Sequence, residues 1–326
     1  MNQKELQNFI SYLVDNYRVF APQEEEKQII IKEITDAKTV AITSQLSFYP
    51  WKKILIPEEE ILFKYKNDTL TGQENILPEK IALFGINILD LRAILLYDAV
   101  FSNDPYYQNR RKNSIIIGYG FKTILADGEE RKINETELKN LPFDIFINEA
   151  LDIFTGTEKG KKLLEKIDFR DYKFIGFEDQ KYNKFLEDKM NLRRDKLKNK
   201  HNQKIWDELG KICIECGKCV IACPTCFCFR IDDQPKLSCS QKSETGQMGD
   251  RNRCWDSCYY QEFSEVAGSH KFLSNTAQKI HFWYYHKFAR IPDEHNMMGC
   301  VGCHRCHAVC PVGINIEEIM KQVEES

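Results

Sequence analysis

Cysteine spacing constrains this chain more than any other feature of its sequence. The pattern Cys-x2-Cys-x2-Cys-x3-Cys-Pro occurs twice, once as Cys213, Cys216, Cys219, Cys223 and Pro224, and again as Cys300, Cys303, Cys306, Cys310 and Pro311. All thirteen cysteines of the 326-residue chain lie between Cys213 and Cys310. A disulfide scaffold is small and secreted, whereas this chain is long enough for one large domain or two ordinary ones. Thiolates at such intervals are soft, strong ligands for iron or zinc. The cysteines therefore divide the chain into a thiol-free N-terminal part and a metal-binding C-terminal part.

A single Cys-x2-Cys suits zinc as well as iron. The full pattern with its proline, present twice, points to two 4Fe–4S clusters. Three cysteines at x2 intervals fold round three irons of one cubane, and the fourth is carried away by the turn that the proline ends. In two-cluster ferredoxins that remote cysteine ligates the other cluster. The spacing thus predicts Cys213, Cys216, Cys219 and Cys310 on one cluster, and Cys300, Cys303, Cys306 and Cys223 on the other. Gly217 and Gly302 suit tight turns around a cluster. Lys218, His304, Arg305 and His307 occupy non-ligand positions, where they either tune a potential or face solvent.

Five cysteines remain. Cys226, Cys228, Cys254 and Cys258 make a candidate third site, for a further cluster or zinc; the alternative is buried thiols packed beside the clusters. Cys239 lies in a polar stretch, 235–249, and reads as incidental.

Upstream, residues 5–19 carry Leu6, Phe9, Ile10, Leu13 and Val14 at helical spacing, which predicts an amphipathic helix. Short β-like runs follow at 39–43, 54–56, 81–86 and 114–118. With a helix expected over 89–100, the last two runs read as strand–helix–strand and hence as an α/β domain with parallel pairing. Residues 143–154 and 160–167 extend it with further strand and helix. The stretch 181–210 is charged, proline-free and sparse in apolar residues, as in a charged helical connector. Helical runs at 256–266 and 277–288 separate the motifs. The expected class is α+β: an α/β domain over 1–180 for partner docking, a connector over 181–210, and a helical dicluster ferredoxin-like domain over 211–326. Gly118-Tyr-Gly120 and the stretch 156–162 imitate phosphate loops only loosely and read as turns and caps.

Composition removes other classes. A net charge of −3 offers no concentrated positive surface for nucleic acid. The most apolar stretch, 81–101, contains Asp90, Arg92 and Asp98, which argues against a membrane span. The N-terminal segment is polar with no signal-peptide core, so the expected location is cytoplasmic.

Several strings carry a resemblance to a known group. They are 223–228 (Cys-Pro-Thr-Cys-Phe-Cys), 255–258 (Trp-Asp-Ser-Cys), 263–268, 286–288 (His-Lys-Phe) and 300–316, with weaker strings at 55–63, 84–91 and 104–107. The chain resembles the dicluster electron-transfer subunits typified by the β subunit of sulfhydrogenase-type nickel–iron hydrogenases and by the corresponding iron–sulfur subunit of anaerobic sulfite reductase. That resemblance implies a relay between a flavin-containing, NAD(P)H-oxidising reductase subunit and a catalytic subunit, hydrogenase or sulfite reductase, with no catalytic centre in this chain. It implies the eight motif cysteines as ligands and gives weight to Cys226, Cys228 and Cys258. Members of the group carry a further Cys-Phe-Cys stretch after the strand matching 115–118; here residues 119–127 contain no cysteine, which counts against a third cluster. Two rival classes stay open at this point. One is catalysis of disulfide or sulfur chemistry at a third site, as in a heterodisulfide reductase; the other is a redox sensor.

Overall fold

Alternate residues of the central strands face opposite ways, and both faces are apolar. The structure, a computed structural model, describes residues 1–66, 69–71, 79–178, 184–199, 204–235 and 248–325. A seven-stranded sheet runs in the order Lys173–Phe174, Ile153–Thr155, Ile145–Ile147, Ser114–Tyr119, Ile81–Ile86, Arg18–Glu25, Gln28–Ile34. Its centre, from Arg18–Glu25 to Ile145–Ile147, is parallel. Ala82, Phe84, Ile115 and Ile117 pack with Leu6, Phe9, Leu13 and Leu164 from the helices Gln3–Asn16 and Glu158–Lys166. Ile81, Leu83 and Ile116 face the opposite layer, where the helix Ile88–Val100 lies. Period-two alternation and burial on both faces follow from covering a parallel sheet with helices on each side.

Ile88–Val100 is apolar around most of its circumference, as a helix buried on all sides must be. Asn87 caps it by accepting from the Leu89 and Asp90 N–H groups. Its outer side meets the C-terminal region. The Tyr97 hydroxyl donates to the carbonyls of Pro224 and Cys226, the latter at 3.3 Å. A second, four-stranded antiparallel sheet joins the halves of the chain, with Glu59–Lys66 paired to Met248–Trp255, which pairs in turn with Phe229–Pro235. The chain is α+β.

Three expected elements are absent, and a fourth ends early. Residues 54–56 are not a strand: Lys52–Leu55 is a short helix, and the Ile56 N–H donates to Lys52 O at 2.7 Å. Residues 39–43 belong to no strand; the Ala41 N–H donates to Pro22 O at 2.8 Å. Residues 256–266 are not a helix but turns around the 3-10 segment Glu262–Ser264, because the Asp256 N–H is taken by Cys228 O at 3.0 Å and the Ser257 N–H by the Asp256 carboxylate. The first helix stops at Asn16, and Val19 belongs to a strand.

The stretch 181–210 contains the helix Lys184–Asn199 and the start of Lys204–Ile212, and Met190, Leu197, Trp206 and Leu209 are buried. These helices pack on Thr276–Tyr285 and Ile316–Glu325. Within 156–162 the Thr157 hydroxyl accepts from the Gly160 N–H, an ordinary helix cap.

Candidate iron–sulfur centres

The two cysteine loops share one backbone trace. In the first, Glu215 and Gly217 have φ of 55° and 72°; in the second, Gly302 and His304 have φ of 68° and 59°. These are the third and fifth positions of each motif. Left-handed residues alternating with right-handed ones turn successive N–H groups toward one concave side, a nest for anionic sulfur. The Glu215 N–H accordingly holds the Cys213 thiol below where burial alone would put it, and the Gly302 N–H does the same for Cys300.

Each loop holds one non-glycine residue in the left-handed region, at a cost of roughly 1–2 kcal/mol. Both are anchored by their side chains. The Glu215 carboxylate accepts from Lys279 Nζ at 2.6 Å and Thr276 Oγ1 at 2.7 Å. The His304 ring is hydrogen-bonded through Nδ1 to the Asp127 carboxylate, with the Glu317 carboxylate 3.1 Å from Nε2. Each loop then enters a one-turn helix, Lys218–Ile221 or Arg305–Ala308, and the two turns pack together.

Cys213, Cys216, Cys219 and Cys310 line one cavity, together with Cys306 at its boundary with the second loop and with Tyr259, Trp283 and Tyr284. Burial, reinforced by the charges of neighbouring thiols, pushes the Cys219 thiol up to about 12. Such a group of thiols ionises together only with positive charge among them, which iron supplies. The Tyr284 hydroxyl and the Trp283 indole N–H are buried without a hydrogen-bond partner among the described residues. An unmet buried donor costs about 1–3 kcal/mol, and the sulfides of a cubane are acceptors. The donor set fits a 4Fe–4S cluster.

Cys223 comes within electrostatic reach of Cys300, Cys303 and Cys306. Burial raises all three of those thiols, Cys303 to about 12. Around this set stand Thr225, whose hydroxyl lies 3.1 Å from Cys223 Sγ, and Lys287. Of the non-ligand motif positions, Arg305 and His304 are buried, while Lys218 is exposed.

Cys226 lies beside Cys223, and the Cys228 thiol beside that of Cys258, each pair shifting its two thiols in opposite directions. Cys254 stands apart from them. It lies on the strand Met248–Trp255, opposite Arg230 and Glu59, and its charged neighbours are Glu59, Asp232 and Arg230. Cys239 falls outside the described residues. Sequence reasoning missed Lys52, Tyr97, Tyr284 and Lys287 around these thiols. Only Lys287 left a signal, as a lysine in an aromatic helical run.

Residues 212–314 match the family model of the 4Fe-4S dicluster domain. The Sulfhydrogenase 2 subunit beta of Pyrococcus furiosus is 27% identical over 344 residues, an alignment covering 97% of this chain and 95% of the relative. No solved structure matches. The C-terminal part is therefore a 4Fe–4S dicluster domain, carried by an iron–sulfur electron-transfer subunit related over nearly its whole length to a sulfhydrogenase beta subunit.

Proposed function

We propose that this chain relays electrons between a flavin-containing, NAD(P)H-oxidising reductase subunit and the catalytic subunit of a cytoplasmic nickel–iron hydrogenase. One cluster is held by Cys213, Cys216, Cys219 and Cys310, the other by Cys300, Cys303, Cys306 and Cys223. The observation that carries this reading is the interleaving of the thiols: Cys310, like Cys306, lines the cavity of the first loop, and Cys223 lies within electrostatic reach of Cys300, Cys303 and Cys306. When bound, the clusters supply one-electron carriers, and shared loops keep them close enough to exchange electrons. The chain's own residues exclude water from Cys223 and Cys303, which are buried, while Cys300, Cys306 and the four thiols of the first set are partly exposed. Ile212, Ile214 and Val312 form an exposed apolar rim beside the first cluster, suited to a docked redox partner. Cys226, Cys228 and Cys258 are read as buried thiols beside the Cys223 cluster, since Cys254, the fourth thiol of the candidate third site, stands apart. Among the described residues no helix is long and apolar enough to cross a membrane.

Anaerobic affinity purification from the native cell tests the relay. Co-purification with a flavoprotein and a nickel–iron subunit is expected. A sirohaem partner would move the chain to a sulfite reductase. Turnover of polysulfide or a small disulfide by the chain alone would overturn the relay.

A further inference from the structure

Two lysines are buried beside the Cys223 thiol group without a carboxylate. Lys287 is 1% exposed, and its Nζ lies 3.1 Å from Cys223 Sγ, 3.1 Å from Thr225 Oγ1 and 3.2 Å from Gly299 O. Lys52 is 5% exposed; its Nζ donates to Val220 O and Cys226 O, both at 3.1 Å, and sits 4.3 Å from the centre of the Trp255 ring. Among the described residues neither forms an ion pair with Asp or Glu. The other cations buried near the loops are already neutralised, Lys279 by Glu215 at 2.6 Å and Arg305 by Asp90 at 2.8 Å.

Removing an ammonium from water costs several kcal/mol even after the protein relaxes around it. The group within reach of Lys287 Nζ that can carry negative charge is the Cys223 sulfur, a thiolate once it ligates iron. Among the described residues no lysine or arginine lines the cavity of Cys213, Cys216, Cys219 and Cys310. The two buried lysines without a carboxylate thus both stand on the side of the Cys223 thiol.

The backbone holds Lys287 in place. It lies in a π-helical turn, His286–Arg290, that follows the helix Thr276–Tyr285. Such turns are rare and recur at functional sites. The turn is locked against the second loop: a Cβ on Gly299 would stand 2.4 Å from Lys287 O, and the Gly299 N–H donates to that carbonyl at 3.2 Å.

We propose that Lys287 sets the reduction potential of the cluster held by Cys223, Cys300, Cys303 and Cys306 above that of its neighbour, so that an electron entering the domain rests there. The inference deepens the relay and rests on the two-cluster reading. Reduction adds one electron to a site that is already anionic, and a fixed ammonium at hydrogen-bond distance from a ligand sulfur favours the reduced state in a low-dielectric surrounding.

The test is an EPR-monitored redox titration of the anaerobically purified chain as wild type, K287M, K287Q and K287R, with iron counted on each sample. In K287M and K287Q one cluster's one-electron equilibrium shifts against reduction by tenfold or more, about 59 mV for each tenfold. The other cluster moves less, and K287R stays close to wild type. Unshifted potentials in fully loaded neutral variants, equal shifts of both clusters, or K287R behaving as K287M would each overturn the inference. Loss of that cluster in both neutral variants would overturn it too, making Lys287 a structural counter-ion. A wild-type sample without about eight irons sinks the two-cluster reading instead.

Discussion

Arg305, set between Cys303 and Cys306, forms a two-pronged ion pair with Asp90, its nitrogens 2.9 and 2.8 Å from the two carboxylate oxygens, and both side chains are 2% exposed. The guanidinium also donates to Ser47 O at 2.9 Å. One side chain thereby ties the second cysteine loop to the helix Ile88–Val100 and to the loop before Lys52–Leu55. Removing the carboxylate alone leaves a buried, uncompensated cation. Asp90→Ala is expected to cost about 3–5 kcal/mol in anaerobic denaturant unfolding, and Asp90→Leu with Arg305→Met to recover most of it. A loss below about 1 kcal/mol in the single variant, the scale of an exposed pair, would show that the contact does not join the halves.

The two loop glycines should respond differently to alanine. At Gly217 a Cβ would meet the Tyr260 ring at 2.7 Å and Ser257 Oγ at 2.9 Å, on top of a left-handed backbone. At Gly302 the nearest atom is 3.8 Å away, so only the backbone cost of roughly 1–2 kcal/mol remains. Gly217→Ala is therefore expected to lose about half the iron, and Gly302→Ala to keep nearly all of it. Equal iron content in the two variants would contradict this account of the loops.

Crossed ligation has its own signature. Cys310→Ser should alter the EPR signal of the cluster that Cys216→Ser also alters, despite the distance in sequence. Cys223→Ser should pair in the same way with Cys303→Ser. If Cys310→Ser and Cys303→Ser instead disturb one common signal, each motif keeps its own fourth cysteine.

Tyr284 and Trp283 line the first cavity, and neither the buried hydroxyl nor the indole N–H has a hydrogen-bond partner among the described residues. Hydrogen bonds to cluster sulfurs raise the potential. Tyr284→Phe is expected to leave the iron content unchanged and to lower the midpoint potential of one cluster. Identical midpoints in variant and wild type would mean that the hydroxyl has no sulfur acceptor.

Much of this was legible in the sequence because the signals were local. Apolar runs long enough to span a core gave Ile81–Ile86, Ile88–Val100 and Ser114–Tyr119, and the cysteine intervals gave the two loops. Long-range pairing was not legible. Glu59–Lys66 pairs with Met248–Trp255 across most of the chain, and both strands carry charged residues that hide their period. The three apolar residues at 54–56 were too few to tell a strand from the end of a helix. Cys254 sits four residues before Cys258, helical spacing that suggests a shared site, yet it lies on a strand that carries its thiol elsewhere. Lys52 was hidden for another reason. Lys52 meets Val220 and Cys226 only through tertiary packing, and no interval in the sequence encodes that contact.

Iron and acid-labile sulfide, counted against protein on the chain purified without oxygen, test the central claim most directly. Two cubanes require about eight irons and about eight sulfides per chain, with a reduced-state EPR spectrum of two interacting centres. Stoichiometric zinc without labile sulfide would contradict the account. So would about four irons, which would leave one of the two cysteine sets without its cluster.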